Sequence, residues 1–320
     1  MHTSAALVSV VVPAFREAGN LTPLHEELVR ALAGERWELI LVDDGSTDGT
    51  WDVIESLAQA DPRVRGVRLS RNFGHQPALL AGLAAAQGQA VISMDADLQH
   101  PPALLPELLA RWRAGAQIVH TQRKSGAETS WFKRSSSRWY YVVFSMLTGV
   151  PLAEGQSDFR LLDRRVVGAL QAMDEVEVFL RGMVQWVGFR SVTVPYEVRA
   201  RHSGESKFGL LKMVRFGLHG VTSFSTIPLR AGIALGFLTA AAAFCELAYV
   251  VAVRLLGAPV PGWASVLGIV AMLFGVNFML MGFQGIYLGH VFSRVRRRPT
   301  YLISDTVGDL NLKGRADDHD

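Results

Sequence analysis

The chain has a single cysteine, Cys245, and it lies inside an apolar run. An intrachain disulfide and a cysteine-built metal cluster are therefore excluded. Charge of one sign is scarce as well. The formal net charge is only +3, too small to imply a nucleic-acid partner. No G-x-G-x-x-G follows the first strand-like segment, which argues against a dinucleotide-dependent dehydrogenase. The N-terminus also lacks the basic-then-apolar pattern of a secretory signal, so the first domain is expected to stay in the cytoplasm. What the chain has in abundance is hydrophobic residues, 49% of its 320. They are unevenly spread: residues 1–200 read as an ordinary α/β chain, whereas 231–292 are almost wholly apolar.

Within that stretch, Ala231–Leu256 and Trp263–Phe292 each exceed the roughly 20 apolar residues needed to span a bilayer. A short uncharged turn, Gly257-Ala258-Pro259-Val260-Pro261-Gly262, separates them. Arg230 precedes the first span, and Arg294, Arg296, Arg297 and Arg298 follow the second. The excess of positive charge at both outer ends predicts a hairpin with both termini cytoplasmic. Arg254 opposes that bias but sits near a span end, where its head group can snorkel. Glu246 falls mid-span, where an acid costs a few kcal/mol unless protonated or partnered. Asn277 and Gln284 are the candidate partners, in a helix–helix or subunit contact. Gly285 and Gly289 form a small-xxx-small pair that permits close helix approach and hints at oligomers.

The first two hundred residues alternate strands and helices. Strands are expected at Leu7–Val12, Trp37–Val42, Val64–Leu69, Ala90–Met94 and Gln117–Thr121, with helices near Leu21–Leu32 and Gln76–Gln87 between them. Such alternation implies a mostly parallel sheet covered on both faces, with ligands bound at the carboxyl ends of its strands. The polar clusters all fall at those ends, as one site requires. The most informative cluster closes the fourth strand: Met94-Asp95-Ala96-Asp97-Leu98-Gln99. Side chains at i and i+2 of an extended segment point the same way, so Asp95 and Asp97 are expected to converge on one ion. Hard oxygen ligands of this kind suit Mg²⁺ or Mn²⁺ carrying a diphosphate. Asp43-Asp44-Gly45-Ser46 closes the second strand and reads either as ligand contacts or as a turn and helix cap.

These blocks together resemble a family 2, GT-A-type glycosyltransferase. The resemblance rests on Val10–Glu17, Val42–Thr50, Arg71-Asn72-Phe73-Gly74-His75-Gln76, Met94–Gln99, Ser157–Arg164 and Arg201–Phe208. With the hairpin added, the chain is similar to the polyprenyl-phosphate glycosyltransferases, among them bactoprenol glucosyltransferases and dolichol-phosphate mannose synthases. Two departures stand beside the site: Arg16 replaces the family's usual Asn, and His100 replaces the Asp that usually follows the D-x-D-L-Q block.

The fold this implies is a GT-A (Rossmann-like) domain over 1–205, juxtamembrane amphipathic helices over 206–230, the hairpin over 231–292 and a basic cytoplasmic tail over 293–320. The resemblance assigns the nucleotide to Pro13, Phe15, Glu17, Asp43, Asp44, Asn72 and Asp95. It assigns Mg²⁺ or Mn²⁺ to Asp95, Asp97 and Gln99. Arg123, Lys133, Arg134 and Ser137 would hold the phosphate of a polyprenyl (undecaprenyl) acceptor, since guanidinium groups bind phosphate by paired hydrogen bonds; a solvated basic face is the competing reading. Arg201 and Lys207 resemble the mobile loop over the diphosphate. Asp97, Asp158, Arg201 and Lys207 would carry the chemistry, with Asp158 either orienting the acceptor, acting as a base, or simply starting a strand.

The expected reaction is a metal-dependent, inverting transfer of a sugar from a nucleotide sugar to polyprenyl phosphate. UDP-glucose is the first choice of donor; UDP-4-deoxy-4-formamido-arabinose, UDP-N-acetylglucosamine, UDP-galactose and GDP-mannose are the alternatives. The expected setting is the cytoplasmic leaflet of a bacterial inner membrane, as a homo-oligomer, tetrameric by resemblance. A processive polysaccharide synthase is disfavoured, because Gln185-Trp186 does not supply a Q-x-x-R-W block. A non-catalytic membrane scaffold is disfavoured by the retained acids and cations.

Overall fold

The computed structural model describes residues 6–123, 156–173, 179–197, 227–256, 262–296 and 298–309. They divide into two compact units. The first contains every described strand and takes in the chain from Pro299 onward; the second contains two long helices.

Three strands form the centre of the first unit: β1 (Val8–Ala14), β2 (Trp37–Asp43) and β4 (Ala90–Ser93). All are Val-, Leu- and Ile-rich and buried along their whole length. Continuous rather than alternating burial is what a parallel sheet with helices on both faces demands. Outside them lie β3 (Val64–Leu69), β5 (Ile118–Arg123), β6 (Gln156–Asp163), β7 (Ser191–Tyr196) and β8 (Ile303–Val307), giving the order β7-β5-β6-β4-β1-β2-β3-β8. The pairs β1·β2, β1·β4, β2·β3 and β5·β7 are parallel; β4·β6, β5·β6 and β3·β8 are antiparallel.

That topology brings the polar clusters together. The carboxyl ends of β1, β2, β4 and β5 share one edge of the sheet, and β6, running the other way, starts from it. Helices α1 (Ala18–Ala31), α2 (Thr50–Ala60), α3 (His75–Ala85), α4 (Leu105–Arg113), α5 (Arg164–Gln171) and α6 (Leu180–Trp186) accompany the sheet. A buried polar knot ties its opposite end. Ser9 Oγ and the Gln87 amide donate to Glu38 Oε1, and Arg65 pairs with Glu38 Oε2 at 2.8 Å. A buried acid is tolerated there because its charge is matched and hydrogen-bonded.

The strand β8 was not foreseen: the expected basic tail contains an edge strand of the sheet. Its run, Ile303-Ser304-Asp305-Thr306-Val307, is short and places three polar residues between two apolar ones, so it carries no period-two signal.

The second unit consists of α7 (Ile227–Leu255) and α8 (Trp263–Val295). Within them Gly232–Val253 and Met272–Gly289 have mean hydropathies of 1.8 and 1.3 and are long and apolar enough to cross a membrane. Their large side chains face outward: Phe237, Leu238 and Phe244 are all at least 70% exposed. Apolar exposure along two whole helices is what a lipid-facing surface requires, and α7 and α8 are candidate membrane spans. Glu246 is half-buried on α7. The proposed amphipathic segment and the Gly257–Gly262 turn lie largely outside the described residues.

Candidate active site

The loop after β1 is shaped by Arg16, which has a left-handed φ of 60° and donates its amide to Ser46 Oγ at 3.0 Å. That bond links the loops after β1 and β2. It also accounts for the departure from Asn: Asn adopts this conformation readily, and Arg is held in it by Ser46 and by packing on Phe15, 5.2 Å from the ring centroid. Pro13 is buried at the end of β1, whereas Phe15 is 41% exposed at the lip. The Glu17 amide donates to Thr50 Oγ1, and its carboxylate accepts from Asn20.

Asp43 and Asp44 are both buried yet held differently. Asp43 Oδ1 accepts the Ser46 amide at 3.0 Å, while Oδ2 is buried without a hydrogen bond. Asp44 uses both oxygens on the loop before α3, accepting the amides of Phe73 at 2.7 Å and Gly74 at 2.9 Å. Burial raises the Asp44 pKa above the usual carboxylate value even against those two amides. Neither acid caps α2, which begins after Gly49 in a left-handed conformation. Gly45 has φ +69°, and a Cβ there would lie 2.4 Å from the Arg71 carbonyl carbon, so only glycine lets the two loops touch. Asn72 is exposed on the loop that Asp44 pins.

The pair Asp95 and Asp97 departs from its expected geometry. β4 ends at Ser93, and Ala96-Asp97 form a turn followed by Leu98 at φ 61°. The two acids are therefore not i and i+2 neighbours on one extended face. The turn wins because Asp97 Oδ1 captures the Gln99 amide at 3.1 Å, a local bond that short acidic side chains favour over a strand. Asp95 Oδ1 is buried and has no hydrogen-bond partner. Its nearest basic groups are imidazoles, His75 Nε2 at 3.6 Å from Oδ1 and His100 Nε2 at 3.7 Å from Oδ2. His100 Nδ1 accepts the Asp95 amide, so its ring proton sits on Nε2 and faces the carboxylate. Burial outweighs the nearby acids and lowers the His100 pKa. His100 thus braces the acid from below, stacked on Phe159 at 5.0 Å.

Asp158, at the start of β6, is 5% exposed and surrounded by cations. Its Oδ1 accepts from Arg160 and, at 3.1 Å, from Arg181 Nε. Its Oδ2 accepts from Arg181 at 2.9 Å and Gln76 at 3.4 Å, with His75 Nε2 at 3.7 Å. Burial alone would raise the Asp158 pKa; His75, Arg160 and Arg181 outweigh it and hold the carboxyl well below the usual range. Asp158, with Asp95, raises the His75 pKa against its burial. His75 lies between Asp95 and Asp158 and joins the two acidic positions. Gln99 accepts from Arg123 at 3.4 Å, which brings the exposed end of β5 to the same edge.

Sequence reasoning missed Arg160, Arg181 and the bridging position of His75. Arg160 was legible, since Asp158 and Arg160 are i and i+2 on a true strand and so share a face. Arg181 carried no local signal, because α6 reaches Asp158 only through the fold. Lys133, Arg134, Ser137, Arg201 and Lys207 lie outside the described residues.

The first unit is thus a mostly parallel α/β sheet with acids gathered at one edge, two of which, Asp43 and Asp95, each keep a buried oxygen without a hydrogen bond. Its solved likenesses include a glucosyl-3-phosphoglycerate synthase from Mycobacterium tuberculosis in complex with Mn²⁺, UDP and phosphoglyceric acid. That match has TM-score 0.51 at 20% identity, covering 68% of this chain and 77% of that one. A mannosyltransferase from Pyrobaculum calidifontis, in complex with GDP-Man and Mn²⁺, matches with TM-score 0.50 at 17% identity over 92% and 87%. In sequence, residues 9–169 match glycosyl transferase family 2, and the chain belongs to that family. It is 37% identical over 304 residues to an uncharacterized glycosyltransferase of Synechocystis sp., covering 94% of this chain and 96% of the relative. It is 36% identical over 300 residues to the SfII prophage-derived bactoprenol glucosyl transferase of Shigella flexneri, covering 92% and 97%.

Proposed function

We propose that this chain transfers glucose from UDP-glucose to a polyprenyl phosphate at the cytoplasmic face of a membrane, with inversion and with Mg²⁺ or Mn²⁺. The observation that carries the reading is Asp95 Oδ1, a buried carboxylate oxygen left without a hydrogen bond beside Asp97. It stands in a chain several of whose relatives over nearly the full length are named bactoprenol glucosyl transferases.

The donor set fits a divalent ion of this kind. Among the described residues no group of three or more His, Cys, Asp or Glu gathers as a metal cage. Mg²⁺ typically takes one or two carboxylates and completes its shell with phosphate oxygens and water. Asp95 and Asp97 would supply the carboxylates, with Gln99 adjoining. When bound, the ion offsets negative charge on the departing diphosphate.

Asp43, through its Oδ2, is the acid proposed to meet the nucleotide, framed by Pro13, Phe15 and Glu17. Asp44 acts by fixing the loop that carries Asn72. Arg123, Lys133, Arg134 and Ser137 are proposed to hold the acceptor phosphate, and Arg201 and Lys207 to close on the diphosphate. A phosphomonoester has its second pKa near ~6 and is already nucleophilic at neutral pH. One of its oxygens attacks the anomeric carbon, the bond to the diphosphate breaks with its electron pair, and UDP leaves from the opposite face. No general base is needed. Asp158, its pKa depressed and its oxygens engaged by two guanidinium groups, is poorly suited to take a proton. It is assigned to positioning His75, Arg160 and Arg181 around the reacting groups.

The hairpin supplies access to the lipid. Support for both of its ends on one face comes from β8, which follows α8 yet hydrogen-bonds to β3. Chain leaving and rejoining one sheet crosses a bilayer an even number of times.

The test is transfer from labelled nucleotide sugars to undecaprenyl phosphate in detergent, with Mn²⁺, Mg²⁺ or EDTA. An organic-extractable product from UDP-glucose, abolished by EDTA, is expected. Product from a different donor would move the sugar assignment, and no lipid product from any donor would overturn the reaction.

A further inference from the structure

β8 does more than cover an edge. It pairs antiparallel with β3 in the register Gly66↔Val307, Val67↔Thr306, Arg68↔Asp305 and Leu69↔Ile303, with a shift between Arg68 and Leu69. The Ser70 amide donates to the Leu302 carbonyl at 2.9 Å, and Ser304 Oγ to the Arg68 carbonyl at 3.4 Å. A Cβ on Gly66 would lie 2.6 Å from Val307 Cγ1, so β8 seats a side chain where β3 has none. These contacts fix the strand closely against its neighbour.

On the other side of β3, Arg68 is the cross-strand partner of Asp43 in β2. Asp43, Arg68 and Asp305 therefore form one lateral row over three strands, acid–base–acid. Arg68 Nε lies 3.6 Å from Asp43 Oδ2, the buried oxygen without a hydrogen bond, and Nη1 lies 3.8 Å from Asp305 Oδ2. The guanidinium also packs over Trp51, 5.7 Å from its ring centroid. A long side chain loses up to roughly 2 kcal/mol of rotamer freedom when ordered. Here Trp51 below and Asp305 beside it do that ordering before any ligand arrives. Such preorganisation is how a residue outside a site changes affinity within it.

We propose that Arg68 is a positioning residue for donor binding, aiming Asp43 at the nucleotide, and that β8 sets Arg68 through Asp305. The segment following the second apolar helix thereby tunes the affinity for the nucleoside diphosphate. This rests on the reading of Asp43 as a nucleotide contact.

The experiment measures UDP binding by calorimetry on the full chain in detergent with Mn²⁺, and KM for donor and acceptor separately. Arg68→Gln is expected to weaken UDP about ten-fold and Asp305→Ala about three-fold, within the range for coupled neighbours. The double variant should match Arg68→Gln alone. Asp305→Ala should raise the donor KM and leave the acceptor KM and the kcat at saturating donor unchanged. Independent, multiplying effects would overturn the link through β8, as would unaltered UDP binding in Arg68→Gln. Asp305 is about half exposed, so its truncation leaves the fold intact. If Arg68→Gln does not fold, Asp305→Ala decides alone, with unaltered UDP affinity overturning the proposal. Asp43→Asn separates the two readings. Wild-type UDP affinity there removes the nucleotide role of Asp43 itself, whereas weak binding with normal Arg68→Gln removes only the positioning role.

Discussion

Asp95 and Asp158 are acids of one site in opposite circumstances. Asp95 is about a third exposed, with one buried oxygen unbonded and its nearest imidazoles beyond hydrogen-bond distance. Asp158 is buried and takes hydrogen bonds from two arginines and a glutamine. The protein's own cations have used up Asp158; Asp95 has been kept for something else. A carboxylate's function is legible less from its position at a strand end than from how much of its bonding capacity the fold leaves free.

The comparison is sharpened first at Asp95. Asp95→Asn is expected to reduce transfer by about 10²–10³-fold, the scale of removing one preorganised electrostatic contact, while the urea unfolding free energy changes by less than about 0.5 kcal/mol. A stable variant with near-normal transfer would break the contrast. The converse holds for Asp158. Asp158→Ala strands the fully buried Arg160 without its counter-charge and should cost about 3–5 kcal/mol in unfolding free energy. A loss of activity without that destabilisation would return Asp158 to direct chemistry.

Asp44 falls between the two, since its carboxylate is spent on backbone amides. Asp44→Ala leaves the amides of Phe73 and Gly74 unpaired, costing about 1–3 kcal/mol. Hydrogen exchange at those two amides would rise selectively.

The smallest effect at neutral pH, growing only in acid, concerns His120, which adjoins Arg160. Burial, with the Arg160 charge, pushes its pKa down to about 4. The Gln185 amide donates toward its Nε2 at 3.3 Å, consistent with a neutral ring. The unfolded chain takes up this proton below about pH 6.5 and the folded chain only near 4. Stability is therefore untouched above about 6.5 and falls as the pH drops toward 4, by up to about 1.4 kcal/mol per unit. The difference in urea midpoint between wild type and His120→Gln should change over that window and stay constant above it.

The central sheet was readable because its strands are long apolar runs closed by glycine, proline and acids, and the two apolar helices because nothing but length and hydropathy was needed. The blocks Val42–Thr50 and Met94–Gln99 fall, as expected, at the carboxyl ends of β2 and β4 on one edge of the sheet. What could not be read was the conformation inside them. Asp97 bonds its own backbone two residues on, which ends the strand that i, i+2 reasoning assumed. Arg181 and β8 were invisible for a different reason: each gains its role only from a partner far away in sequence, Asp158 in one case and β3 in the other.

The late position of β8 also imposes an order on synthesis. β3 is made early, but its outer hydrogen bonds stay open until the ribosome has passed both apolar helices and delivered residues 303–307. An unpaired strand edge invites pairing with other chains. Nascent or truncated molecules that stop after the second apolar helix carry that exposed edge, so completion of the C-terminus is also the step that seals the sheet against association with its own copies.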